Sequence, residues 1–182
     1  MLNAQAVAGY LQKNFYESDR EQNFDYVVVD TPPTENVIIR SVYALTDYLV
    51  APIIPVKFSL DGIGNMLKLI FGMKQRFNPD LQFLGMVPCK VIGKADKANA
   101  EDDRRLRQQE AALQGLLQNP NYAALMLLSK DKKLVGISER QIVENAINEG
   151  KPVWKVTGPE AQASSLEFFA VFDAMENKMG GF

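Results

Sequence analysis

FDYVVVDTPPT, residues 24–34, contains an apolar run too short for a helix. Phe24, Tyr26, Val27, Val28 and Val29 are β-branched or aromatic, the pattern of a strand buried on both faces. The run stops on Asp30. Pro32 and Pro33 lack backbone donors and hold their predecessors extended, so the ladder cannot continue and the chain must turn. A carboxylate is therefore expected at the carboxyl end of a buried strand. In open α/β sheets that edge is where ligands bind, and an acid there commonly holds a magnesium ion beside a nucleotide phosphate.

Upstream, Leu2, Val7, Tyr10, Leu11 and Phe15 recur at helical spacing, which predicts a cover helix over residues 2–17. Downstream, Thr34 is a plausible N-cap for a helix carrying Val37, Ile38, Val42 and Leu45. Residues 48–56, YLVAPIIPV, read as a second buried strand limited by Pro52 and Pro55. Ser59 is expected to cap a long helix to about Phe77, weakened by Gly62, Gly64 and Gly72. Close backbone packing explains Gly62 and Gly64 equally well at a subunit interface or against a sheet. A third strand is predicted over residues 81–87, and a fourth over 122–128. Between them EDDRRLRQQEAALQGLLQ reads as an exposed helix with acids ahead of bases. Residues 139–149 and a segment from Pro159 onward complete the helices, with Gly150 as a C-terminal stop and Trp154 as a packing residue.

Composition bounds the rest. With 182 residues and 47% hydrophobic content the chain can bury one substantial core, and a single domain over 1–182 is expected. A formal net charge of -2 excludes a uniformly basic nucleic-acid binder and leaves room for a local basic patch. The single cysteine, Cys89, excludes an internal disulfide and an iron-sulfur cluster built by one chain. The absence of histidine excludes serine-type triads and His-ligated zinc sites within these residues. A cytoplasmic protein without a membrane segment is the expectation.

Four hydrophobic residues followed by Asp30, Thr31, Pro32 and Pro33 resemble the second acidic motif of the ParA and MinD group of deviant-Walker P-loop ATPases. APIIPVKFSLDGI at 51–63, NPDLQFLGMV at 78–87 and AINEGKPV at 146–153 are similar to later blocks of the same family, in the same order. The resemblance implies a three-layer α/β/α P-loop NTPase-like fold with a mostly parallel sheet. It implies ATP and Mg2+ as cofactors, with Asp30 at the metal and Thr31, Pro32 and Pro33 shaping the wall near the γ-phosphate. It places Cys89 or Lys90, at the tip of the third strand, near the nucleotide base, although Cys89 also reads as a plain packing residue.

A phosphate loop needs Gly-x-x-x-x-Gly-Lys followed by Ser or Thr, because backbone amides cradle the phosphates and the hydroxyl ligates magnesium. Gly93-Lys94 is followed by Ala95 and Gly150-Lys151 by Pro152, so neither qualifies. In the family that loop precedes the Asp-x-Pro-Pro strand. The expectation is accordingly an incomplete ParA-like domain, with the N-terminal part of the fold missing, no catalytic residue of its own and no ATP hydrolysis by itself. An uncovered sheet edge implies self-association.

Two functional readings follow. One is a partition or positioning ATPase module, which in the family dimerises with ATP, binds DNA non-specifically and meets a ParB-like partner. The other is a non-catalytic dimerisation or interaction module that co-assembles with a full-length ParA-type ATPase. Arg104, Arg105 and Arg107, and then Lys130, Lys132 and Lys133, are the candidate DNA contacts. The acids at 101–103 offer the arginines a self-neutralised, solvated face instead.

Overall fold

The structure, a computed structural model, describes residues 26–31, 36–55, 60–92 and 100–180, together with the single positions Ala6, Gly9 and Lys13; of Leu60 and Asp61 it describes the backbone alone. The expected cover helix over residues 2–17 lies, apart from those single positions, outside the described residues, as do Pro32, Pro33, Thr34 and Ser59. Two compact units are distinguished, Met1–Leu49 with Gly64–Phe83 and Val50–Ile63 with Leu84–Phe182.

The elements are α1 (Val37–Leu45), β1 (Tyr48–Ile53), α2 (Leu60–Arg76), β2 (Gln82–Val91), α3 (Ala100–Gln118), a short α4 (Pro120–Ala123), β3 (Ile137–Ser138), α5 (Gln141–Asn148), a 3-10 turn (Val153–Lys155) and α6 (Ala161–Met179). The sheet has the order β1-β2-β3, with β2 central and β3 parallel to it, so the fold is α/β with a parallel sheet.

In the first unit α1 is capped by Asn36, whose side chain accepts from the Ile39 N–H at 3.0 Å. Asparagine satisfies an orphan donor at a helix start at least as well as threonine does, so the helix begins three residues after Thr34. Leu49, Ile70 and Leu81 form the buried cluster here, with Tyr43, Met66 and Phe83 packed around it. Asn78 ties the turn after α2 to the end of α1 by donating to the Tyr43 and Thr46 carbonyls at 3.0 and 2.8 Å. Asn-Pro-Asp at 78–80 thus acts as a clamp as well as a break.

The second unit is built on β2. Val87, Leu127, Val135, Val171 and Ala174 form one cluster, and Ile142, Ala146, Val153 and Ala161 a second. β2 runs to Val91, four residues past the expected end. Its Pro88 is fully buried, and a Cβ on Gly136 would lie 2.8 Å from the Pro88 carbonyl oxygen, so the next strand passes close by.

Two expected strands are not found. Residues 122–128 begin inside α4, where Asn119 accepts from the Asn121 N–H at 3.0 Å and Pro120 occupies the first turn. The segment forms two isolated bridges instead of a strand, Met126 in parallel with Met86 of β2 and Leu128 antiparallel with Leu134. Gly85 makes that approach possible: at φ 138 it has no side chain where a Cβ would stand 2.9 Å from the Leu125 oxygen. The second correction is larger. Residues 26–30 are outside the sheet, and Tyr26, Val27, Val28 and Val29 are 53%, 51%, 92% and 49% exposed. An apolar run becomes a buried strand only where neighbours take its N–H and C=O groups and other elements cover its faces. Here the faces of Val27, Val28 and Val29 are left uncovered.

Candidate functional site

Asp30 and Thr31 belong to the first unit. Asp30 is exposed, and Thr31, half-buried, hydrogen-bonds the Tyr43 side chain of α1. Burial pushes the Tyr43 hydroxyl above its ordinary pKa, and the Thr31 bond opposes that rise. The bond anchors the end of the 26–31 segment to α1. Among the described residues no group of three or more Cys, Asp or Glu is placed to hold a metal ion. Magnesium at a nucleotide takes one or two carboxylates and completes its shell with water and phosphate oxygens. Asp30 supplies one carboxylate, and the described residues supply no phosphate cradle. Gly150, at φ 63, follows the C-terminus of α5, where carbonyls rather than amides point outward, and Lys151 pairs with Glu149 at 3.0 Å. The described residues therefore do not fit a magnesium nucleotide by themselves.

The second unit gathers the end of β2, β3 and the two helices behind them. Cys89 is half-buried, its sulfur 3.6 Å from the Val87 oxygen, and burial pushes its thiol up. A thiol raised in this way stays protonated at neutral pH and is a poor nucleophile. Lys90 is exposed and held at φ 54, at the break in register between Cys89↔Ile137 and Val91↔Ser138. A lysine in that region is strained, and strain of this sort concentrates where a side chain must be re-aimed. Just beyond the strand, buried Gln109 of α3 accepts from the Ile92 N–H at 2.9 Å and fixes the chain.

Beside them lies a network that no motif announced. The Ser138 N–H and hydroxyl both donate to Glu167 of α6, each at 2.8 Å, and Arg140 reaches Glu167 at 2.7 Å and Glu160 at 3.6 Å. Burial alone would raise the Glu167 carboxyl; the hydrogen bonds from Arg140 and Ser138, with the Arg140 charge, outweigh it and hold it below its usual range. One sequence signal was available. Arg140 is the N-cap of α5, where a cation opposes the helix dipole unless a carboxylate answers it.

The expected DNA contacts divide. Arg104 pairs with Glu101 at 2.8 Å, Arg107 with Asp103 at 2.8 Å, and Arg105 with Glu139 at 2.9 Å, with Asp102 at 4.0 Å. Lys130, Lys132 and Lys133 stand exposed on one tight turn, closed by the Ser129 N–H to the Lys133 oxygen at 2.8 Å and by the Leu128↔Leu134 bridge. That turn brings three cations together with one acid, Asp131, between them.

Comparison with known proteins follows the same lines. The AAA domain family model matches residues 4–83. Protein IncC of Escherichia coli is 33% identical over 158 residues, 87% of this chain and 38% of IncC. The chromosome partitioning protein ParA of Myxococcus xanthus is 28% identical over 76 residues, 42% of this chain and 27% of that protein. The chain therefore spans well under half of these relatives' length. The solved structure of Cyanthece apo McdA superposes with a TM-score of 0.59 at 16% identity, covering 94% of this chain and 59% of McdA, a likeness of fold. No helix among the described residues is long and apolar enough to cross a membrane. The Asp-x-Pro-Pro stretch, the parallel α/β sheet and relatives of this kind converge, and together they support membership of the ParA/MinD-type P-loop ATPase family.

Proposed function

We propose that the chain is a ParA-like partition or positioning module whose 182 residues do not turn over ATP by themselves. The observation that carries this reading is the match to IncC along 87% of the chain, joined to the lack of any Gly-x-x-x-x-Gly-Lys-Ser/Thr loop within it. The family uses nucleotide and magnesium, and in this reading Asp30, Thr31, Pro32 and Pro33 contribute one wall of such a site, while Cys89 and Lys90 lie toward the base. Non-specific DNA contact falls to Lys130, Lys132 and Lys133, because counterion release needs cations that no carboxylate has already neutralised. Self-association and a ParB-like partner complete the role.

The exposed run at 26–29 favours a second reading. A strand-forming segment left outside the sheet suits a module that co-assembles with a full-length ParA-type ATPase, whose edge would receive it. Calorimetry of the 182-residue chain with magnesium and ATP tests the shared premise, and no tight binding is expected. Submicromolar affinity would show that a phosphate grip exists after all.

A further inference from the structure

Helix α2 carries a glycine that packing does not require. A Cβ built on Gly72 meets nothing within 4 Å, although glycine is among the least favourable residues in a helix interior. Its missing side chain opens the floor of a groove of about 420 Å³ between α1 and α2, within the first unit. The α2 positions lining the groove run from Asn65 to Arg76 at spacings of three and four, so they form one helix face. At 1.5 Å per residue that face is roughly 16 Å long.

The chemistry of the lining is one-sided. Leu69, Met73 and Phe77 form an apolar stripe, and Arg40, Lys68 and Arg76 flank it. Among the described residues no carboxylate lines the groove. Among the described residues neither Lys68 nor Arg76 makes an ion pair.

We propose that this groove docks an acidic amphipathic segment of a partner protein. Its apolar side chains lie along Leu69, Met73 and Phe77, and its carboxylates face Lys68 and Arg76. Charge complementarity sets the sign of the partner, because the charged groups among the described lining are all cations, which repel a basic segment and pair with an acidic one. The stripe sets the shape: anchors at helical spacing match a helix laid in a groove. A nucleic-acid backbone would satisfy the cations and leave the apolar floor unused. Gly72 belongs to this reading as the residue that keeps the floor deep enough for an anchor, a local loss of helix stability retained for binding. The proposal does not depend on the nucleotide reading above.

Fluorescence anisotropy of the full 182-residue chain provides the test. The probe is a labelled synthetic helix of about 14 residues, four turns, with leucines on one face and glutamates elsewhere; a matched peptide with lysine for glutamate and a short DNA duplex serve as comparisons. The acidic peptide should bind saturably and more weakly as salt is raised. The double variant Lys68→Ala with Arg76→Ala should weaken it about tenfold. Gly72→Leu, which fills the floor, should remove binding, while Gly72→Ala should raise the melting temperature and lower affinity by a smaller factor. Because Gly72→Ala favours the helix, it keeps the experiment decisive if Gly72→Leu does not fold. Equal binding of the lysine peptide, displacement of the acidic peptide by DNA with the same dependence on Lys68 and Arg76, no saturable binding, or variants that leave affinity unchanged would each overturn the proposal.

Discussion

Residues 26–29 and residues 83–87 are both short, apolar and free of charge, and a sequence pattern treats them alike. In the structure the first run leaves Val28 92% exposed, whereas Leu84, Met86 and Val87 of the second are 2%, 0% and 3% exposed. The difference lies in their partners. β2 has β1 on one edge and β3 on the other, and the Leu125 oxygen accepts from the Met86 N–H at 2.7 Å while the Met86 oxygen accepts from the Leu127 N–H at 2.9 Å. The 26–29 run has no place in that sheet. β-Propensity measures how well a side chain suits a pleated, half-buried surface; it does not create the surface.

The comparison breaks most easily through paired truncations. Leu127 is fully buried beside β2, so Leu127→Ala should cost about 3 kcal/mol through lost burial and a residual cavity. Val28→Ala, on the exposed run, should stay within about 0.5 kcal/mol. Urea denaturation of both variants decides the matter, and a similar loss at the two positions would mean that the 26–29 run is buried in solution.

An intermediate effect is expected at the end of β3. Glu167→Gln should cost about 1–2 kcal/mol near neutral pH, because it weakens charge-assisted bonds to Ser138 and Arg140. The folded-state pKa of Glu167 is lowered, so its contribution is fully present above the unfolded value, near about 4.3. It is lost as pH falls through the lower folded value. Denaturation midpoints of parent and variant should therefore differ at neutral pH and converge in acid. A gap that persists in acid would assign the effect to packing.

The smallest effect is expected inside α6. Among the described residues the Ser164 hydroxyl is buried with no hydrogen-bond partner. Ser164→Ala removes that unsatisfied group in a helix that alanine favours, and should raise stability by up to about 1 kcal/mol. A thermal melt showing a loss instead would mean that the hydroxyl has found a partner in solution.

Much of the architecture was legible beforehand. α2, expected from Ser59 to about Phe77, spans Leu60–Arg76, and the charged helix is α3 at Ala100–Gln118. Both rest on spacing and local caps, which are properties of neighbours in sequence. Tertiary structure decided the rest. It turned Arg105 toward Glu139, 34 residues away, whereas Arg104 and Arg107 pair with acids of their own helix. It joined Ser138 to Glu167 across 29 residues, and it left the lysine turn at 130–133 exposed. It also withheld a sheet position from residues 26–30. A helix closes its backbone bonds within itself, whereas a strand or a long-range ion pair exists only when a distant part of the chain arrives to complete it.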